Sequence, residues 1–516
     1  MKVNNIYKDI VIVGTGLAGI SALKNYINTS LEVAVVTTGE KSFGASFYPG
    51  TWGLGMVYSD NEEDKKDFVK TISKVGGYVN NENLTKILVE EGKNSVLSLY
   101  DLGVKLKDSI NNDLVVPCYD HKGRTWKGFD FASAKESFNK LFLEKNIELF
   151  NNSFVIDIFN FKDLSKGLLM INKDKSLTFI RCKALIIASG GYTCIYDNNF
   201  SQEKNTPIIH YFLEKLGCKM KNLEFIQFIP TSYCSKYRVV FNERAYEYVN
   251  FYKNNEKEVI PKEDKKYLKE RSTYAPFTSR MKSKKIDLHI FKENVKNANK
   301  VYFKYPKNIE NIEDTLIQNY FKWLVDKYGK IDEKINIIHC AHACNGGVEI
   351  NERGETSVDG IFACGEVTGG IHGADRIGGL STVGAIVFGN IAGKNAKEYI
   401  NKININKDLD VKSIVLNSIS ELNKIDEKVA EESVKYFKKS LYYNTAIIRK
   451  IDNLIKLKKN YKKLLNSLYI NYYNKENCYE NLLIKSQAKS YLVFGESLLN
   501  AMINRKESLG SHYIEK

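Results

Sequence analysis

The stretch Asp9-Ile-Val-Ile-Val13-Gly14-Thr15-Gly16-Leu17-Ala18-Gly19 decides how the chain is read, because a short apolar run breaks directly into a glycine loop. The run predicts a buried parallel strand, and the spacing of Ile20, Leu23, Tyr26 and Ile27 after it predicts a helix. Strand, G-x-G-x-x-G and helix together predict a dinucleotide-binding βαβ unit. Gly14 permits the tight turn, Gly16 lets a pyrophosphate touch backbone, and Gly19 lets helix and strand pack, with the phosphates at the positive helix end. A second strand, Glu32-Val-Ala-Val-Val36, follows at the right distance, but it ends in Thr37-Thr38 where an acidic ribose ligand often stands.

Working outward, residues 41–56 read KSFGASFYPGTWGLGM, a glycine-rich loop placed to pass beside a flat ring system. Residues 60–108 read as helices, and 140–180 hold short strand-like runs such as Phe154-Val-Ile-Asp-Ile-Phe159. Cys182-Lys-Ala-Leu-Ile-Ile-Ala188 is a buried strand ending in Ser189-Gly190-Gly191, a second place where backbone can meet a cofactor. Residues 232–336 turn polar and rich in Tyr and Lys, the mark of an inserted domain. From His339 to Gly389 the chain offers a strand ending in Gly365-Glu366, a glycine-loosened loop, and two groups suited to a carboxylate. His342 supplies a hydrogen-bond donor and Arg376 a planar cationic fork. The helical pattern resumes at Ser381 and, after Asp408, continues to the end.

Composition limits the function classes. With 516 residues, 43% of them hydrophobic, the chain can bury a large core spread over several domains. No run is long enough to span a membrane, and the apolar segment behind Lys2 and Lys8 is interrupted by Asp9 and the glycines, unlike a signal peptide. Nine scattered cysteines, an odd number, point to reduced thiols and a cytoplasmic location. Of the net charge of +15, residues 401–516 carry +8, and the segment 449–463 explains how. Ile451, Leu454, Ile455 and Tyr461 share one predicted helical face, so its lysines form a solvated opposite face rather than a docking surface. His339-Cys340-x-His342-x-Cys344 packs four candidate metal ligands into six residues, too tightly to converge on one tetrahedral ion, so no metal is expected. His121, His210, His289 and His512 have no context that assigns them a role.

The ordered motifs DIVIVGTGLAGISAL, ALIIASGGY, KLGCKMKNLEFIQFIPT, AHACNGG, GIFACGEVTGGIHGADRIGG and MINRKESLGSHY resemble the flavoprotein family of fumarate reductase, succinate dehydrogenase flavoprotein subunit and L-aspartate oxidase. The resemblance implies an α/β fold: a Rossmann-like FAD-binding domain with an inserted α+β capping domain and a C-terminal helical domain. Its boundaries fall at 1–231 and 337–405 for the FAD-binding domain, 232–336 for the cap and 406–516 for the helical part. It implies FAD, contacted by Gly14, Gly16, Gly19, Thr37, Thr38, Ser46, Gly50, Ser189, Gly190, Gly191, Gly365, Glu366, Arg376 and Ser381, and held noncovalently because residues 41–53 contain no histidine. It also implies hydride transfer between flavin N5 and a fumarate- or succinate-like carboxylate, clamped by His342 and Arg376. The proton-donating arginine of the cap is matched by Arg280 in Ala275-Pro276-Phe-Thr-Ser-Arg280, with Glu243 as its relay.

Departures from the family pattern are specific. Q-F-H-P-T stands here as Gln227-Phe-Ile229-Pro-Thr231, so one substrate-binding histidine is an isoleucine. The G-D-G turn is replaced by Asn205-Thr206-Pro207, the R-G-E-G stretch is unrecognisable between Arg244 and Asn250, and the R-E-G-G-H run of L-aspartate oxidases is absent between Val116 and Lys122. An L-aspartate-oxidase-like activity is the alternative within the enzyme class. A flavin-bearing binding protein or complex subunit with an eroded substrate site, serving an RNA or protein partner, is the alternative outside it. The expected partner is a small carboxylate substrate; the redox partner stays open, and nucleic acid is not expected.

Overall fold

The first strand is longer than its apolar run. In the computed structural model, which describes residues 3–48, 54–108, 123–201, 206–234, 237–296, 301–328, 334–405, 410–469 and 481–516, it spans Val3–Val13. Its polar first half is held by parallel pairing with Leu177–Ile187, in register from Val3↔Leu177 to Val13↔Ile187. Ile10, Val11 and Ile12 have no exposure at all, because Val33–Val36 flanks them on the other side. That double burial is what a near-continuous apolar run signals.

The seven-stranded sheet runs Ile147–Phe150, Val33–Val36, Val3–Val13, Leu177–Ile187, Lys166–Ile171, Phe154–Asn160, with Ile361–Ala363 joined parallel to Leu177–Ile187. The last of these strands returns from beyond residue 340, so the insertion expected from the sequence is real. Helix Leu380–Tyr399 follows it and packs closely on Leu17–Leu23. A Cβ at Gly389 would lie 2.5 Å from the Ala18 carbonyl oxygen, and the Tyr26 hydroxyl donates to the Gly393 carbonyl at 2.6 Å. The first helix is also shorter than its pattern, tightening into a 3₁₀ turn at Lys24–Tyr26.

Two long antiparallel strands, Ile226–Cys234 and Ile335–Cys344, lead into and out of the insertion. Tyr237–Val240, Tyr302–Phe303 and Phe251–Tyr252 complete their sheet, and an apolar cluster including Phe241, Tyr246, Ile290, Phe303 and Phe321 packs beside it. Within this part Asp287, Arg271 and His339 are fully buried together. Arg271 grips Asp287 at 2.7 and 3.1 Å and His339 Nε2 meets it at 2.9 Å. Burial alone would raise the Asp287 carboxyl, but Arg271 and His339 outweigh it and hold it below the usual range. Arg271→Leu strands that charge and is expected to cost about 3–5 kcal/mol of stability, read by denaturant titration; a loss near zero would remove the pair from the account of the fold.

Helices Val411–Asn423, Glu427–Thr445, Ile451–Ser467 and Leu482–Asn504 form the C-terminal part around a second large apolar cluster. The inward stripe of Ile451–Ser467 is Leu454, Leu457 and Tyr461, while Ile455 is 39% exposed, so the buried face is rotated from the predicted one. Among the described residues no helix is long and apolar enough to cross a membrane.

Candidate active site

Two of the fingerprint glycines are demanded by the protein itself. Gly14 sits at φ +117°, where a Cβ would lie 2.2 Å from the Ala188 carbonyl oxygen, and a Cβ on Gly19 would lie 2.0 Å from that of Gly14. Gly16 differs: a Cβ there meets nothing nearer than 3.6 Å, so the requirement for glycine comes from whatever binds beside it. Gly44 and Gly190, both at positive φ with nothing within 4 Å of a Cβ, line the same cleft.

The cleft extends from Thr37, Thr38 and Val155 past Gly14 and Ser189 to Glu366 and His342. Thr37 holds Thr15 by a 3.0 Å hydroxyl contact. Ser46 accepts from the Leu17 amide at 3.3 Å, supporting the start of the first helix. Glu366 accepts from the Cys344 amide at 2.8 Å and lies so close to Gly191 that a Cβ there would be 2.5 Å from Oε1. Gly365, at φ +77°, lets the turn pass Ala18. Ser381 stands in the first turn of Leu380–Tyr399, whose N-cap is Gly379 without a side-chain cap, an end suited to a negatively polarised oxygen. Gly50 lies outside the described residues, as does the 116–122 region. His210, given no role from the sequence, lines the cleft: one ring nitrogen bonds the Val367 backbone, while the buried Nε2 has no hydrogen-bond partner among the described residues. Burial pushes it down to about 4, so it meets a ligand as a neutral acceptor.

At the far end, His342 occupies a β-bulge. Gln227 pairs with Ala343 and Phe228 with Ala341, leaving His342 as the extra residue between them. A bulge re-aims a side chain, and His342 lines the cleft. Arg376 donates from Nε to Gln227 Oε1 at 3.2 Å. Burial first and the Arg376 charge second push His342, and likewise His372, down to about 3, so both imidazoles are neutral near pH 7.

The neighbour of Arg376 in sequence is the fully buried Asp375. Its Oδ2 accepts from Thr278 at 2.6 Å and from Arg280 Nε at 3.0 Å, while Oδ1 has no hydrogen-bond partner among the described residues. Burial pushes Asp375 up to about 6, against the pull of Arg280. The structure therefore brings Arg280 of the insertion to the loop carrying Arg376. Burial raises the pKa of Glu243, opposed by its own backbone amide, Arg271 and Arg244. Arg280 donates from its backbone amide to the Thr278 hydroxyl and from Nε to Asp375. Ile229 is buried in a cluster with Phe200, Ile338 and Cys340. Among the described residues no group of three or more His, Cys, Asp or Glu is placed to hold a metal; His339 is committed to Asp287.

A cleft lined by Gly14, Gly44 and Gly190, with Glu366 wedged beside Gly191 and an orphaned His210 nitrogen facing it, fits a dinucleotide. The family model described as the FAD binding domain matches residues 9–382. The chain is 24% identical to an uncharacterized FAD-dependent oxidoreductase of Methanocaldococcus jannaschii, covering 98% of this chain and 93% of that one. It is 26% identical to an L-aspartate oxidase of Clostridium perfringens, covering 77% of this chain and 88% of the relative. A quinol fumarate reductase chain of E. coli shares the fold, with a TM-score of 0.78 and 20% identity over 100% of this chain and 92% of that one. With its fingerprint, sheet and cleft matching together, the chain belongs to the FAD-binding-domain family and is an FAD-dependent oxidoreductase of the group that includes fumarate reductase, succinate dehydrogenase flavoproteins and L-aspartate oxidase.

Proposed function

We propose that the chain moves a hydride between flavin N5 and a carbon of a small carboxylate-bearing substrate of the enoate or saturated-acid type. The observation that carries this reading is Arg376, braced by Gln227 beside the cleft that His342 lines from its bulge. FAD, when bound, supplies the two-electron hydride chemistry. Gly14, Gly16, Gly19, Thr37, Thr38, Ser189, Gly190, Gly191, Gly365, Glu366 and Ser381 would hold it, with Ser46 supporting the helix start and His210 accepting from a hydroxyl.

Arg376 orients the carboxylate by its planar fork and offsets charge that builds on it during transfer. Neutral His342 offers the same carboxylate an N–H and gains basicity as the anion arrives, so binding draws toward proton uptake. Arg280 delivers a proton to the second carbon in the reducing direction and receives one in the oxidising direction. A paired carboxylate holds a guanidinium proton more tightly, so what Asp375 supplies at 3.0 Å is the position of Arg280, which recovers from solvent the proton it delivers. Glu243 is assigned a supporting role beside Arg271 and Arg244.

The decisive experiment is anaerobic. Photoreduced flavoprotein is expected to be reoxidised by at least one 2-enoate, or oxidised flavoprotein to be reduced by succinate or L-aspartate. Silence of both half-reactions across the panel rules the reading out.

A further inference from the structure

Resting on the carboxylate-clamp reading above, we infer that the substrate carries one carboxylate and an apolar substituent where a dicarboxylate would carry its second: a monocarboxylic 2-enoate bearing a hydrocarbon group on C3. The register of the two long strands supplies the reason. Gln227 and Ile229, two residues apart on one strand, face the same side. Ile229 pairs with Cys340, whose side chain shares that face, and His342 follows Cys340 by two at the bulge. The sheet face that carries the Arg376 brace and His342 therefore continues as Ile229 and Cys340, which pack directly beneath Phe200.

Phe200 extends it. Its ring stands edge-on to His342 with centroids 6.0 Å apart, it lines the cleft, and it shares a cluster with Ile229, Ile338 and Cys340, packed by Tyr48, Val240 and Ala275. Polar ends nearby are already committed. The Tyr48 hydroxyl donates to the Arg238 carbonyl at 3.2 Å, and the Arg238 guanidinium donates to the Asn199 and Asp197 carbonyls at 3.0 and 3.1 Å and to Asn198 Oδ1 at 3.2 Å. Burial pushes the fully buried Cys340 thiol up to about 11, so it stays neutral behind Phe200 and Ile229. Among the described residues the side chains of this wall are apolar, so a second carboxylate set against it would lose its water without a hydrogen bond from the wall itself, whereas each methylene buried there improves binding about fourfold.

The reaction balances as a conjugate reduction. Two electrons and a proton arrive at C3 as hydride from the reduced flavin, the C2–C3 π pair moves toward the carboxylate held by Arg376, and C2 takes a proton by way of Arg280. The enoate is reduced to the saturated acid and the flavin is oxidised.

The test uses the full-length flavoprotein, photoreduced without oxygen and mixed in stopped flow with fumarate, 2-butenoate, 2-hexenoate or 3-phenylpropenoate. Reoxidation by 2-hexenoate or 3-phenylpropenoate is expected to exceed that by fumarate at least tenfold at equal low concentration. Ile229→His is expected to reverse the order, raising fumarate and lowering the apolar acids; Ile229→Asn repeats the test should the histidine fail to retain flavin. A wild-type preference for fumarate overturns this inference and leaves the carboxylate-reduction reading standing. Reoxidation by none of the four overturns this inference, and the carboxylate reading falls with it only if neither succinate nor L-aspartate reduces the oxidised flavoprotein. An unchanged preference in either flavin-retaining variant removes Ile229 as its source and overturns the assignment of this wall.

Discussion

Arg376→Ala is expected to retain FAD, with a near-unchanged flavin absorbance spectrum, and to lose turnover by roughly 10²–10³-fold in kcat/KM. The magnitude follows from truncating one partner of a desolvated, charge-assisted contact, about 2–5 kcal/mol, at the place where charge builds during transfer. The direction follows from geometry: Arg376 is braced by Gln227 at 3.2 Å, and the first cause of the depressed His342 after burial is the Arg376 charge itself. Removing that charge lets His342 rise from about 3 toward its ordinary value, so the variant should also show a new titration below pH 6.5, visible by NMR of the imidazole. Arg376→Lys keeps the charge without the fork and should fall between the two. Unchanged kcat/KM in Arg376→Ala would take the carboxylate away from this residue. Loss of FAD in both variants would make Arg376 a cofactor-holding group first, in line with the second role expected of it from the sequence.

What could be read in advance divides along the range of the interactions. Gly14 and Gly19 were legible because the fingerprint itself names them, although only Gly19 meets a local neighbour, the Gly14 carbonyl, while the Ala188 carbonyl that crowds Gly14 comes from a distant strand. The extension of the first strand to Val3 was not, since Asn4, Asn5 and Lys8 carry no apolar signal and owe their strand conformation to a partner more than 170 residues away. His342 was legible as a carboxylate partner by its motif, but the bulge that aims it exists only in the pairing of two distant strands. His210 sits in an ordinary amphipathic helix turn, and only tertiary packing brings its nitrogen to the cleft. The missing histidine at Ile229 could be named from sequence. That it belongs to a continuous apolar wall with Phe200 could not, because Phe200 lies outside every motif. The rotated stripe on Ile451–Ser467 has the same cause: several faces satisfy the helical period, and the packing of Leu482–Asn504 selects one.

Arg280→Gln is expected to lose about 10²–10⁴-fold in kcat while binding substrate nearly as well, the loss typical of a positioned proton donor. Its partner sets the pH behaviour. The Asp375 carboxyl, pushed up to about 6, is ionised above that pH and pairs with Arg280; below it the carboxyl is neutral and the ion pair is gone. Wild-type kcat should therefore decline on an acid limb near pH 6, and Asp375→Asn, neutral throughout, should flatten that limb and lower the plateau. Stability carries the opposite sign. The folded state takes up a proton at Asp375 between roughly 4 and 6, earlier than the unfolded chain, so this group favours folding as pH falls through that window. Its ionised form costs about 3 kcal/mol at pH 8, because this fully buried carboxyl titrates at about 6 rather than at the ordinary ~4. His342 and His372, held down near 3, work the other way: their contribution is present above about 6.5 and lost as pH falls. The difference between wild type and Asp375→Asn isolates the carboxylate from both histidines. Asp375→Asn should thus melt no lower than wild type at pH 8 yet turn over more slowly, a combination that a merely structural aspartate would not give. Should the variant melt lower and keep its acid limb, Asp375 would be a packing residue, and Arg280 would have to be positioned from elsewhere in the insertion.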